Sequence, residues 1–188
     1  MYQTQFSDVT AAYLTEFNRI LNEMIQQMTT VQLSNSISYN FIVQMIPHHQ
    51  AAIQMSQNLL NYTTNIPLQI IAKQIIAEQT QSIQDMQSSL FLCSTKKNST
   101  QEVYQYQENI NKILQIMFTE MKNTKSTNRI NVNFIREMIP LHQGAVNMSE
   151  TVLQYPICYP LIHIVHAILL SQKRGIEQLN YLLLAIDE

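Results

Sequence analysis

The sequence has few of the residues that interrupt regular structure. Only 2 Gly and 5 Pro occur among 188 residues, and Trp is absent. Because β-sheets depend on frequent tight turns, which Gly, Pro and Asn-Gly pairs supply, this composition excludes a β-sandwich, a barrel and a Rossmann fold. It also excludes a glycine-rich phosphate-binding loop. We therefore predict an all-α protein.

Charged residues and long apolar runs are scarce as well. Charged side chains make up 13% of the chain and the net charge is −2, so the basic surface that nucleic-acid binding requires is absent. No run approaches the roughly 18 apolar residues of a membrane span. We expect neither nucleic acid nor a membrane span. The first residues lack the pattern of a signal peptide, which leaves the compartment open between the cytoplasm and an exported location.

The two cysteines, Cys93 and Cys158, permit at most one intramolecular disulfide. Their spacing does not match the CxxC of a metal site. Both lie near the ends of predicted helices. The sequence leaves open whether they are unpaired or serve a structural role.

An internal repeat organises the chain. The segment FIVQMIPHHQAAIQMSQNLL, from Phe41, aligns without a gap with FIREMIPLHQGAVNMSETVL, from Phe134, at an offset of 93 residues. The same offset pairs four of the five prolines, and it pairs eight methionines as Met24–Met117, Met28–Met121, Met45–Met138 and Met55–Met148. We predict a single domain over residues 1–188, built from two repeats at about 1–95 and 96–188.

Each repeat is predicted to form three helices. Apolar residues recur at three- and four-residue spacing, and Ser, Asn and Pro mark the helix starts. The predicted ranges are about 9–30, 36–61 and 67–92 in the first repeat and 101–122, 131–154 and 156–185 in the second. Short connections favour antiparallel neighbours, so each repeat supplies a helical hairpin plus one extra helix. Two such hairpins predict an antiparallel four-helix bundle.

Histidines and methionines share one face of the second predicted helix. At 100° per residue, Met45, His48, His49 and Met55 fall within a sector of about 120°. Pro47 lies on the opposite face, where we expect it to kink the helix.

The second repeat keeps part of this pattern. Met138, His142 and Met148 recur, but Leu141 replaces the first histidine. The following helix adds His163 and His166, which are three residues apart. With a turn centred near residue 157, Met148 and His166 come level across the hairpin. We therefore expect a cluster of Met148, His163 and His166 with His142.

Thioether sulfur together with imidazole is a ligand set that suits copper, either as Cu(I) or as Cu(II). Structural zinc sites use thiolates, and catalytic zinc sites usually add a carboxylate or a third histidine. A di-iron bundle requires inward carboxylates and Glu-x-x-His pairs, and this sequence contains no Glu-x-x-His. No nucleophile–base pair or carboxylate pair is apparent, so we expect a binding protein and not an enzyme.

The segments MIPHHQAAIQMS and MIPLHQGAVNMS resemble the signature Met-Ile-x-His-His-x-x-Ala-Ile-x-Met-Ala. That signature is typical of the ferritin-like family called domain of unknown function three hundred and five, which includes exported copper binders of the CopM type. The resemblance spans nearly the whole chain and implies a ferritin-like bundle. It implies these candidate copper ligands: Met45, His48, His49, Met55, Met138, His142 and Met148.

The chain departs from the family pattern in its third and sixth helices. The family has Gln-x-x-Glu-Ile-x-x-Met there. In this sequence Ser82 and Gly175 replace the glutamate, and Leu179 replaces one methionine. With these changes we expect the chain to keep the fold with a weakened or relocated site.

Three functions follow from these features. The first is copper binding, for storage or resistance, through the seven residues implied by the resemblance together with His163 and His166. The second is a structural or interaction module without metal, in which histidine and methionine only pack. The third is a metal-dependent oxidoreductase, which the shortage of carboxylates disfavours. Core packing is the expected role of Met24, Met28, Met117 and Met121. The oligomeric state is open, a homo-oligomer included.

Overall fold

The computed structural model describes residues 6–187, and this part of the chain forms six α-helices. They are α1 (Asp8–Thr30), α2 (Ile37–Leu60), α3 (Ile66–Thr95), α4 (Thr100–Lys122), α5 (Ile130–Val152) and α6 (Tyr159–Asp187). The predicted all-α class is confirmed, and each predicted helix boundary lies within three residues of the observed one. Across residues 6–187, no helix combines the length and the apolar character needed to cross a membrane.

Four of the helices form the predicted bundle. α2 packs against α3 and α5 packs against α6, so each repeat contributes one hairpin. The hairpins join because α2 contacts α5 and α3 contacts α6, while α1 lies on α2 and α4 lies on α5. Large side chains from both repeats fill a shared core, among them the fully buried Tyr13, Phe41, Tyr106 and Phe134.

The two repeats use the same local devices to begin their helices. In the first repeat, the side chain of Asn40 accepts from the backbone N–H of Ser34 and donates to the carbonyl oxygen of Ser34. In the second repeat, Asn133 makes the same two bonds with Thr127. Serine and asparagine side chains cap α1 to α4, which satisfies N–H groups that the first turn of a helix leaves free.

α6 begins at Tyr159, three residues later than predicted. Pro160 therefore lies in the first helical turn, as Pro67 does in α3. The preceding turn is held outside the helix because the backbone N–H of Cys158 donates to the hydroxyl of Ser38 at 2.9 Å. The repeat itself contained this information, since Pro67 and Pro160 are paired at the offset of 93.

A disulfide joins Cys93 to Cys158, with 5.2 Å between their Cα atoms. Cys93 lies near the end of α3 and Cys158 lies in the turn before α6, so the bond links the two repeats. The sequence left open whether the two cysteines are unpaired or structural, and in the structure they are paired and structural.

Candidate metal site

Three histidines lie buried at the centre of the bundle. His48 and His49 come from α2, and His142 comes from α5; none is more than 2% exposed. The rings of His48 and His49 have centroids 5.8 Å apart. The face of α2 that carries them also buries Met45 and Met55, as its spacing predicted. The prolines of the motif, at positions 47 and 140, lie inside continuous helices.

A backbone carbonyl fixes the protonation of His48. Its Nε2 lies 3.0 Å from the carbonyl oxygen of Leu141. A carbonyl oxygen can only accept, so Nε2 carries the proton and Nδ1 presents a lone pair. Leu141 stands at the position equivalent to His48 in the other repeat. The bond therefore crosses the pseudo-twofold axis between α2 and α5.

The other two histidines contact equivalent positions on α3 and α6. The Nε2 of His49 lies 3.1 Å from the hydroxyl of Ser82 on α3. His142 lies against Gly175 on α6, where an added Cβ would be 2.8 Å from its Nε2. His49 and His142 are paired at the offset of 93, and so are Ser82 and Gly175. The small residues leave room for the imidazole rings.

Two buried glutamines lie beside the histidines, and they too are equivalent in the two repeats. Gln79 on α3 and Gln172 on α6 are each 2% exposed. Together with His142 they line a cavity of about 10 Å³, which is enough for a single water or ion. We name the five residues the polar layer: His48, His49, His142, Gln79 and Gln172.

The polar layer contains several buried atoms without a hydrogen-bond partner. They are the Nδ1 atoms of all three histidines, both amide atoms of Gln79 and the side-chain oxygen of Gln172. Buried polar atoms are nearly always bonded in folded proteins, to the protein itself or to ordered water. Six such atoms in one layer mark a position suited to a bound water or ion.

Burial keeps the three imidazoles neutral. It lowers the pKa of His48 to about 4, although the bond to the Leu141 carbonyl raises it somewhat. The pKa of His142 falls to about 3, first because of burial and then because of the charge that His48 would carry, although a hydrogen bond to the Met138 backbone raises it somewhat. Burial also holds the pKa of His49 well below its ordinary range, and its two histidine neighbours lower it further. Neutral imidazoles are the form that binds metal ions.

The four motif methionines are as buried as the histidines. Met45, Met55, Met138 and Met148 are at most 1% exposed. Met45 lies one helical turn before His48 and His49, and Met138 lies one turn before His142. Thioether groups therefore lie on the helix faces that carry the imidazoles. The methionines assigned to packing are also buried in the core, namely Met24, Met28, Met117 and Met121.

The structure does not bring His163 and His166 into this site. Both are exposed on α6, and the ring of His163 packs edge-on against Tyr159 at 5.1 Å. The buried stripe of α6 runs through Leu161, Val165, Ile168, Gln172 and Leu179. His163 and His166 lie about 160° and 140° from the centre of that stripe. The expected cluster with Met148 is therefore not formed, because the apolar stripe sets the rotation of the helix.

The imidazoles do not form a complete metal site by themselves. Within residues 6–187, no three side chains of His, Cys, Asp or Glu are arranged to hold one metal ion. A metal in the polar layer would need thioether ligands as well. No motif in the sequence marks Gln79 and Gln172 as part of the layer, although their pairing at the repeat offset was a usable signal.

A sequence profile named Domain of unknown function (DUF305) matches residues 18–90 and residues 38–183. Among solved structures, the chain is similar to one described as a crystal structure of a DUF305 fragment from Deinococcus radiodurans. The TM-score is 0.57 at 18% sequence identity, covering 78% of this chain and 95% of that one. No curated protein matches the chain. The structural likeness therefore bears on the fold alone.

Proposed function

Since this chain belongs to the DUF305 family, a family of unknown function, we propose a function from the chemistry of its polar layer. The protein binds copper through buried imidazole and thioether ligands, and it serves in copper storage or resistance. The ligands are three histidines and the methionines that flank them on the same helix faces: Met45, His48, His49, Met55, Met138, His142 and Met148.

One observation carries this proposal. The three buried imidazoles are neutral, and each has an Nδ1 without a hydrogen-bond partner. In His48 the Leu141 carbonyl holds the proton on Nε2, so Nδ1 is a lone-pair donor before any metal arrives. A binding site that need not lose protons first keeps its affinity near neutral pH.

The neighbouring side chains favour Cu(I) over harder cations. Thioether sulfur is a soft ligand that needs no deprotonation, and it selects Cu(I) over magnesium, calcium or manganese. The positions at which the family carries glutamate are Ser82 and Gly175 in this chain, and neither offers a carboxylate to a hard cation. The two glutamine side chains of the layer are neutral.

We further propose that the protein binds metal without turning over a substrate. The Ser82 hydroxyl is hydrogen-bonded to the Nε2 of His49, but the Nδ1 of His49 has no partner to orient the ring as in a catalytic triad. The polar layer is also enclosed by four helices and has a cavity of only about 10 Å³, which leaves no room for an organic substrate.

We propose an exported location. The support is the Cys93–Cys158 disulfide, since such bonds form and persist in oxidising compartments and are rare in the cytosol. Fractionation of the source cells, with the disulfide state of the recovered protein determined, tests this point.

A Cu(I) titration in competition with a chromophoric chelator tests the proposed function. We expect one tightly held Cu(I) per chain in the native protein. His48→Leu copies the residue of the other repeat, and His49→Leu removes a second ligand. Loss of a group that only orients a ligand typically costs about 10- to 100-fold in affinity, so each of these changes should cost at least about tenfold.

Matched controls separate a ligand effect from a packing effect. His163→Ala/His166→Ala removes two exposed imidazoles and should leave the affinity unchanged. The double variant Met45→Leu/Met138→Leu removes two proposed ligands and should weaken binding. The matched control is Met24→Leu/Met117→Leu, which changes an equivalent pair of core methionines in α1 and α4 and should leave binding unchanged. Absence of binding in the native protein, or equal affinity in all these variants, would show that the polar layer does not bind copper.

A structural role is the second candidate, and the His48–Leu141 bond favours it. That bond joins the two hairpins at the bundle centre. If histidine only holds the hairpins together, His48→Leu lowers the free energy of unfolding while the native protein takes up no Cu(I).

A further inference from the structure

The α3–α6 side of the bundle brings a surface groove close to the polar layer. α1 lies on α2 and α4 lies on α5, so both motif helices are covered. Between α3 and α6 a surface groove of about 290 Å³ opens instead. Its floor includes Ser82, whose hydroxyl is bonded to the Nε2 of His49. One side chain therefore separates the groove from a histidine of the layer.

The groove and the small cavity beside His142 share part of their walls. Glu78 and Ser171 line both of them. Small residues line both openings: Ser82 and Ser171 line the groove, and Ser171 and Gly175 line the cavity. The two openings are therefore neighbouring parts of one passage between the helices.

An ion pair joins α3 and α6 beside that passage. Arg174 on α6 donates to the carboxylate of Glu78 on α3, and Arg174 also lines the groove. The Arg174 side chain is exposed, at 43%, and that of Glu78 is half-buried, at 32%. The pair thus links the two helices at the point where groove and cavity meet.

We propose that this α3–α6 seam is the entry route for the metal cation and that the Arg174–Glu78 ion pair is its gate. The inference rests on the proposed copper site. Opening the pair widens the route from the groove past Ser82, Ser171 and Gly175, which are too small to block a single ion. The ion then reaches the histidine rings directly, His49 behind Ser82 and His142 beside Gly175.

The charges at the seam distinguish a gate from simple attraction. Glu78 and Asp85 line the groove and attract a cation, whereas Arg174 repels it. If only the local potential mattered, Arg174→Gln would speed metal entry and Glu78→Gln would slow it. If the ion pair is a gate, both variants speed entry, because each of them breaks the pair.

Two measurements test the gate. The first is the rate of Cu(I) uptake in stopped flow. The second is the rate at which diethyl pyrocarbonate modifies each histidine in the metal-free protein at pH 7, resolved by mass spectrometry. A partly exposed ion pair stabilises a contact by up to about 1 kcal/mol. We therefore expect a two- to fivefold faster Cu(I) uptake and a similar acceleration at His49 and His142 in both variants.

The molecule supplies its own controls. Lys173→Gln removes the same charge one residue away, from an ion pair with Glu150, and should change neither rate. The modification rates of the exposed His163 and His166 show how fast diethyl pyrocarbonate reacts with an accessible histidine. His48 lies against α5 and reports global opening, so its modification rate should stay constant. Unchanged rates at His49 and His142, an equal gain in Lys173→Gln, or an equal gain at His48 would overturn the gate.

The two readouts keep this inference distinct from the copper proposal. If the native protein takes up no Cu(I) but modification of His49 and His142 accelerates, the seam is a gate and the copper proposal is wrong. If Cu(I) binds and neither rate changes in the two variants, the copper proposal stands and the metal enters elsewhere.

Discussion

At the scale of single residues, the tautomer of His48 follows from one bond to a carbonyl oxygen. We expect nitrogen-15 NMR of the metal-free protein to show His48 protonated at Nε2 and unprotonated at Nδ1. Because burial lowers the pKa of His48 to about 4 and that of His142 to about 3, both rings should remain neutral at pH 5. An imidazolium signal from either ring at that pH would contradict the geometry.

Glu137 is a second buried titratable residue and lies outside the polar layer. It is 2% exposed and accepts a hydrogen bond of 2.8 Å from the hydroxyl of Tyr13. Burial raises its pKa to about 7, although the bond from Tyr13 lowers it somewhat. The equivalent residue of the first repeat is Gln44, so the bundle already accommodates an amide at this depth.

Glu137→Gln should therefore change how stability depends on pH. The folded protein keeps the Glu137 proton up to about pH 7, whereas the unfolded chain releases it above about pH 4.5. The native protein thus loses stability as the pH rises through this window, by roughly 3 kcal/mol at 1.36 kcal/mol per pKa unit. Urea unfolding at several pH values should show that the free energy of unfolding of the variant rises relative to that of the native protein from pH 4.5 to pH 7. A constant difference across that range would contradict the raised pKa.

At the scale of helices, Gly175 determines how closely α6 approaches α5. A Cβ at this position would lie 2.6 Å from the Cδ2 of His142, closer than packed atoms tolerate. We predict that Gly175→Ala displaces the His142 ring and weakens Cu(I) binding by about tenfold or more. Overpacking costs about 1–3 kcal/mol, offset by up to about 1 kcal/mol of helix propensity.

A chelator competition assay and urea unfolding check this prediction together. Ser171→Ala, one turn earlier on α6, is the control, since it brings no new atom towards His142. Unchanged Cu(I) affinity in Gly175→Ala would mean that His142 is not a ligand.

Helix periodicity also explains which parts of the site the sequence could predict. The spacing of Met45, His48, His49 and Met55 placed all four on one buried face, and they are buried. The same reasoning failed for His163 and His166, because it considered their spacing and not the stronger apolar stripe of α6. The contact of His48 with the Leu141 carbonyl depends on how helices of the two repeats meet, and that of His142 with Gly175 depends on how α5 meets α6. No local pattern encodes either contact.

At the scale of the whole molecule, the disulfide links the two repeats across 65 residues. Closing a loop of that length restricts the unfolded chain and stabilises the folded state by about 4 kcal/mol. We predict that Cys93→Ala/Cys158→Ala lowers the free energy of unfolding by up to that amount in urea. The Cu(I) affinity should stay the same, since neither cysteine belongs to the polar layer. A parallel loss of affinity would assign the cysteines a role in binding.

The repeat was the most informative feature for the fold. Two copies at an offset of 93 predicted six helices and the pairing of two hairpins, and the capping bonds of Asn40 and Asn133 recur at that offset. What the repeat could not predict is where the copies differ: His48 faces the carbonyl of Leu141, and Glu137 replaces an amide. The asymmetry of the polar layer arises where His48 faces Leu141.

Anomalous diffraction at the copper edge, from crystals of the Cu(I)-loaded protein, tests the central claim most directly. We predict one strong peak within the polar layer, between His48 and His49 of α2 and His142 of α5, with methionine sulfur among the ligands. A peak at the exposed His163 and His166, or no peak inside the bundle, would contradict the claim.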